Sequence, residues 1–218
     1  MTDTTQPGGW RAALGALARG IMQALAAGVQ PQGQPASPIN APAPSAPQPA
    51  AAAAPSPLLP PPGTTERDLD LSARTVWGEA RGELPPGRVA VAAVIVTRAR
   101  LAREYLARNP GKKRHPLFGD GTLAGAAQAN PEARYKQFSC WNLDDPNRAK
   151  MLAISTDDPL YLECRAVVLT ALKVTGTDGD PSKGATHYYD PRVVTPGWAK
   201  GARQVAVIGN HRFFDRVP

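Results

Sequence analysis

Residues 64–218 predict a mainly helical α+β domain that ends in a small antiparallel sheet. The residues ahead of them predict a Pro/Ala-rich disordered tether. Three observations carry this reading. Apolar residues recur at helical spacing from Leu69 to Val174. The period then changes: Gly184–Tyr189 and Gln204–Phe214 are short and rich in β-formers. Pro31–Pro62 has a proline every few residues and Ala runs such as Ala50–Ala54, with Ile39, Leu58 and Leu59 as its large apolar residues. Such a composition cannot bury enough surface to offset chain entropy.

Taken in order, residues 1–9 read as a flexible N-terminus. In residues 10–29, Trp10, Leu14, Leu17, Ile21 and Leu25 step by three or four and form one apolar face. Gly15, Gly20 and Gly28 weaken that helix. It reads either as a short amphipathic helix that docks on a membrane surface or a virion, or as a marginal helix that frays. Residues 30–63 are the tether, extended and partly polyproline-II. The domain opens on Thr65 and Asp68, a variant capping box, which starts the helix carrying Leu69, Ala73, Val76, Trp77 and Ala80. Gly82 and Pro85-Pro86 end it, and the prolines suit the first turn of a second helix running to Arg108. That helix is apolar nearly all round over Val89–Val96, as one at the centre of a domain would be. Asn109–Gly121 is a basic loop, Leu123–Ala129 a short helix stopped by Asn130-Pro131, and further helices cover Pro146–Ile154 and Pro159–Val174. Val205–Ile208, Gly209-Asn210 and His211–Phe214 form a hairpin with a two-residue, Gly-first turn.

Composition narrows the function. The net charge is +7 and the sequence pI about 9.7, so polyanions attract the chain: nucleic acid, anionic lipid or acidic cell-wall polymer. The basic residues are dispersed rather than interleaved with aromatics, and no nucleic-acid partner is expected. Met1–Gly9 has no positive n-region, and no window reaches the roughly 18 apolar residues of a membrane span. The chain therefore reads as made in the cytoplasm without a recognisable signal peptide. Cys140 and Cys164 fit no metal motif and leave two options, a disulfide or two buried thiols. The histidines are His115, His187 and His211, without an H-E-x-x-H, so no metal is expected. Neither a G-x-S-x-G nor a Gly-rich phosphate loop is present, and no cofactor is expected.

Glu79 is a candidate general acid. It stands in V-W-G-E-A-R-G-E, beside an apolar stripe and between Gly78 and Gly82. A carboxylate against apolar and aromatic surface has its charged form disfavoured and can hold a proton near neutral pH, as a general acid must. The competing reading is a helix-surface glutamate paired with Arg74, Arg81 or Arg88. Polar and aromatic groups also gather in loops: Gln137, Ser139 and Trp141, then His187, Tyr188 and Tyr189, then Trp198 and His211. Rings flanked by amides and hydroxyls suit sugars, because ring faces cover the apolar faces of pyranoses; taken singly, each fits a core position equally well.

Several blocks resemble one family in its own order: A-R-T-V-W-G-E-A-R-G-E with G-R-V-A-V-A-A-V-I-V-T-R, then Q-F-S-C-W-N at Gln137–Asn142, D-P-S-K-G-A-T-H-Y-Y at Asp180–Tyr189, P-G-W-A at Pro196–Ala199 and I-G-N-H-R-F-F at Ile208–Phe214. The chain is identified by them as similar to the SleB-like cell-wall hydrolases, the spore-cortex lytic enzyme type with proteobacterial and phage members. The likeness covers about Leu69–Phe214. It departs at Thr97 and Asp190, where the family commonly has Asn. The resemblance implies a lysozyme-like, monomeric catalytic domain acting on peptidoglycan glycan strands, in the periplasm or from a virion. It implies a lytic transglycosylase with Glu79 as the catalytic residue and without metal or cofactor. Gln137, Ser139, Trp141, His187, Tyr188, Trp198 and His211 are then candidates for substrate binding. The alternatives are a two-carboxylate muramidase using Glu83 or Asp190, a metal-dependent amidase, and a non-catalytic wall-binding or structural phage protein.

Overall fold

The structure, a computed structural model, describes residues 61–218. The readings for residues 1–9 and 10–29, and all but the last three residues of the tether, lie outside them. Helix α1 spans Glu66–Ala80. Thr65 caps it: its hydroxyl accepts from Asp68 N–H, and the Asp68 carboxylate accepts from Thr65 N–H in return. This reciprocal pair satisfies two of the donors that every helix N-terminus leaves open. The other oxygen of the buried Asp68 accepts from Ala124 N–H at 2.8 Å, so the cap also ties α1 to α3, Leu123–Ala127.

Helix α2, Pro85–Arg108, starts with prolines in its first turn. Ala90–Ile95 are buried without a break, so every side of the helix is covered there. The short helix α4 is Arg148–Ala153, and α5, Pro159–Val174, is capped by the Asp158 carboxylate. Helix α5 packs on both α1 and α2, and the three enclose Leu69, Val76, Val91, Val94, Val168 and their neighbours.

Three strands close the domain: β1 His187–Tyr189, β2 Arg203–Ile208 and β3 His211–Asp215. The order is β1-β3-β2, all antiparallel, with a bulge in β2 between Gln204 and Ala206. Ile208 pairs with His211 across the two-residue turn. Gly209 makes that turn possible on two counts. Its φ is +56, a region that costs residues with a Cβ. A Cβ there would also sit 1.9 Å from a Glu83 oxygen. Among the described residues no helix is long and apolar enough to cross a membrane.

Of the two options the sequence left for the cysteines, the structure holds the buried thiols. Cys140 and Cys164 are both buried free thiols. Cys140 packs its Cβ and sulfur against Gly78 and Met151, whereas the Cys164 thiol lies by the Arg88 guanidinium. Each sulfur is thus directed at a different neighbour. Burial raises both thiols, Cys164 to about 11 and Cys140 well above the usual range, the latter with help from the Glu79 charge.

Candidate active site

Glu79 is next to last in α1, half-buried, with the 3-10 turn Ser139–Trp141 laid across the helix end. Gly78 permits that approach, because a Cβ on it would stand 2.5 Å from the Cys140 Cβ. The Cys140 N–H can therefore reach Glu79 Oε1, at 2.8 Å, and the Ser139 hydroxyl donates to the same oxygen at 3.1 Å. Oε2 accepts from the Tyr188 hydroxyl of β1 at 2.9 Å. The arginines that might have neutralised Glu79 bond elsewhere. Arg74 is on Asp70 at 2.9 Å, Arg81 on Asn147 Oδ1 at 2.8 Å, and Arg88 on the Glu83 carbonyl at 2.9 Å. Glu79 is a hydrogen-bonded carboxylate at the wall of a cleft, and a helix-surface ion pair is not its role here.

The cleft holds about 540 Å³ and is lined by Glu79, Gln137, Ser139, His187, Tyr188, Trp198 and His211 among others. Six of the seven substrate-binding candidates thus meet around the glutamate. Trp141 does not. It is buried, and its indole N–H donates to Thr75 Oγ1 at 2.9 Å, which makes it a core residue that anchors the turn beneath Glu79.

The second carboxylates have other partners. Helix α1 ends at Ala80, so Glu83 does not stack one turn above Glu79. It is buried against the hairpin, accepting from Asn210 N–H at 3.2 Å and Asn210 Nδ2 at 2.6 Å. His211 Nδ1 stands 3.8 Å away. Asp190 does line the cleft, with both oxygens engaged by the exposed Arg192 guanidinium. Among the described residues no group of three His, Cys, Asp or Glu could hold a metal ion.

The sequence reading passed over Arg98 among the residues that line the cleft. Arg98, at the end of the apolar run of α2, is buried and lines the cleft. Its Nε donates to the Thr186 carbonyl at 2.7 Å and its guanidinium lies 4.6 Å from the Phe138 ring centroid. Burial lowers it to about 10, still a cation near neutral pH. The available signal was a charge closing an otherwise apolar segment. The environment also sets the other titrating groups. Burial, with Arg98 adding to it, brings His187 down to about 4. His211 is lowered by burial against the pull of Glu83 and Asp190. Tyr188 is pushed well above its usual range by burial and the Glu79 charge, so its hydroxyl stays protonated.

Known proteins are similar to part of this sequence. A cell wall hydrolase family profile matches residues 82–214, beginning three residues beyond Glu79. The spore cortex-lytic enzyme of Halalkalibacterium halodurans is 32% identical over 157 residues, 70% of this chain and 36% of that enzyme. That of Bacillus subtilis is 29% identical over 153 residues, 70% of this chain and 39% of that enzyme. The chain therefore spans well under half the length of these relatives. Among solved structures, the catalytic domain of the germination-specific lytic transglycosylase SleB of Bacillus anthracis is 26% identical, with a TM-score of 0.48 over 71% of this chain and 99% of that domain. With the profile spanning more than half of its residues, the chain belongs to the cell wall hydrolase family.

Proposed function

We propose that this protein cleaves the MurNAc–GlcNAc glycan strand of peptidoglycan as a lytic transglycosylase, with Glu79 acting first as acid and then as base. One observation carries the reading: of the two carboxylates that line the cleft, Glu79 makes no ion pair and is held by the Cys140 N–H and the Ser139 and Tyr188 hydroxyls, while Asp190 is in the Arg192 fork. The cell wall hydrolase membership and the spore cortex-lytic relatives support the substrate class.

The hydrogen bonds assign the two oxygens different tasks. Oε1 faces a backbone N–H, a donor that cannot turn round, so the transferable proton belongs on Oε2. Tyr188 can rotate its hydroxyl from donating to Oε2 to accepting from it. Protonated Oε2 gives its proton to the glycosidic oxygen as the C1–O bond breaks and an oxocarbenium-like centre develops at C1. The Cys140 N–H and the Ser139 and Tyr188 hydroxyls then stabilise the new carboxylate. That carboxylate takes the proton of the C6 hydroxyl as its oxygen closes on C1, and Glu79 returns to its acid form. No water is consumed. Gln137, His187, Trp198 and His211 bind the sugar hydroxyls and N-acetyl groups, and residues 10–29 serve to dock the domain on a membrane surface or virion.

A second reading has one observation in its favour: Asp190 lines the same cleft, as the second carboxylate of a muramidase would. Muropeptide analysis of digested sacculi separates the two. Anhydro-muramoyl ends are expected; reducing ends mean the two-carboxylate hydrolase. Free stem peptides mean an amidase, and no soluble product means a wall-binding protein.

A further inference from the structure

The glutamate cleft does not end at the residues the transglycosylase chemistry uses. Gln137, His187 and Trp198 line it and also line a second cavity of about 430 Å³. Leu117, Phe118, Thr186, Arg216, Val217 and Pro218 complete that second cavity. The shared residues form a saddle built of rings. His187 and Trp198 are 5.2 Å apart between centroids, and Phe118 lies 6.2 Å from His187 on the far side. The Gln137 amide and the Trp198 indole N–H make no hydrogen bond to other described residues, which leaves both polar groups for a ligand crossing the saddle.

The far cavity differs from the near one in its chemistry. No Asp or Glu lines it, its sides are Leu117, Phe118, Val217 and Pro218, and its one charged side chain is the Arg216 guanidinium. The neighbouring Asp215 feels that charge but bonds to Arg203, and Arg216 makes no direct salt bridge among the described residues. The backbone at Arg216 has φ +50, a left-handed conformation uncommon for a residue with a Cβ, and it turns the chain out of β3 into this wall.

We propose that this cavity is a distal subsite of the glycan cleft and takes a muramoyl residue with its stem peptide attached, a stem-peptide carboxylate meeting Arg216. The proposal rests on the glycan reading above. A polymer with one reacting bond is held on both sides of that bond, and binding away from the reacting atoms can be used at the transition state. The saddle of Trp198 and His187 accommodates a pyranose face, the aliphatic wall accommodates peptide side chains, and the cation selects an anionic substituent over a bare sugar.

The test uses the full chain carrying Glu79→Gln, so that ligand persists while binding is measured. Two soluble ligands are compared: a tetrasaccharide with stem peptides, and the same tetrasaccharide after an amidase has removed them and the lactyl carboxylates so freed have been capped as neutral amides. The peptide-bearing ligand is expected to bind about tenfold more tightly. Adding Arg216→Glu brings the ratio of the two affinities to one or below, Arg216→Lys keeps most of it, and Trp198→Ala weakens both ligands. A ratio of one in the parent, or a ratio untouched by Arg216→Glu, overturns the proposal, as does full affinity after Trp198→Ala. Anhydro products from the unsubstituted chain together with an unchanged ratio would remove the distal subsite and leave the transglycosylase reading standing. Reducing products with the expected ratio would do the reverse.

Discussion

Exchanging each of the two glutamates of the G-E-A-R-G-E stretch for glutamine separates catalysis from architecture. Glu79→Gln keeps Oε1 as the acceptor for Cys140 N–H and Ser139 Oγ, and the new amide takes the place of Oε2, where the Tyr188 hydroxyl turns to accept. The net cost is below about 1 kcal/mol. Glu83→Gln is different. Both donors on that side chain belong to Asn210, at 3.2 and 2.6 Å in a buried setting, and an amide sets an N–H₂ against one of them. Losing one charge-assisted bond costs about 1.5–3 kcal/mol. At about 2–4 °C per kcal/mol for a domain of this size, Glu83→Gln lowers the melting temperature by roughly 3–12 °C, and Glu79→Gln by less than about 4 °C. Activity follows the opposite order. Glu79→Gln loses the transferable proton and falls by at least about 10²–10⁴ in rate, while Glu83→Gln keeps most of its activity below its melting temperature. Clearing of purified sacculi and thermal circular dichroism read both quantities. Near-normal clearing by Glu79→Gln refutes the acid assignment. A Glu83→Gln protein that melts normally yet is equally inactive refutes the single-carboxylate mechanism.

Gly78→Ala would bring a Cβ within 2.5 Å of the Cys140 Cβ and 3.0 Å of the Met151 sulfur. Over-packing of this kind costs about 1–3 kcal/mol, and it pushes the Cys140 N–H off Glu79, so melting temperature and sacculus clearing fall together. Cys140→Gly in the same chain recovers part of both, and an unaltered melting temperature after Gly78→Ala counts against the close approach. The His187 environment predicts a pH dependence of stability. The fold refuses its proton down to about 4, whereas the unfolded chain binds one below the ordinary 6.5. Between those values the unfolded state holds more protons, so stability is lost as pH falls from about 6.5 toward 4. His187→Gln makes the slope of melting temperature against pH shallower in that window, and parallel slopes would contradict the burial of the imidazole.

Much of the fold was legible because it is local. The Thr65/Asp68 box, the prolines opening α2 and α5, and the Gly209-Asn210 turn are each decided by residues within a few positions of one another, and the elements begin and turn where those residues stand. The cleft was legible to the extent that loop aromatics and amides predict sugar contacts, and six of the seven candidates line it. Trp141 and Arg98 were not legible, for the same reason. Whether an indole faces a ligand or the core depends on Thr75, sixty-six positions away, and Arg98 became a cleft residue because the Thr186 carbonyl, eighty-eight positions away, receives its Nε.

The sequence alone determined the helices and the hairpin, since periodicity, caps and turn chemistry act over a single turn of chain, and it was the ordered family blocks, G-E-A-R-G-E among them, that singled out Glu79 as the candidate acid. The environment of that glutamate came only with the tertiary structure. Its three donors come from Ser139, Cys140 and Tyr188, sixty or more residues along the chain. The same folding took Glu83 to the hairpin and left both cysteines as buried free thiols. Hydrogen bonds and close packing act over a few ångströms of space, and only the completed fold brings groups so distant in sequence within that range.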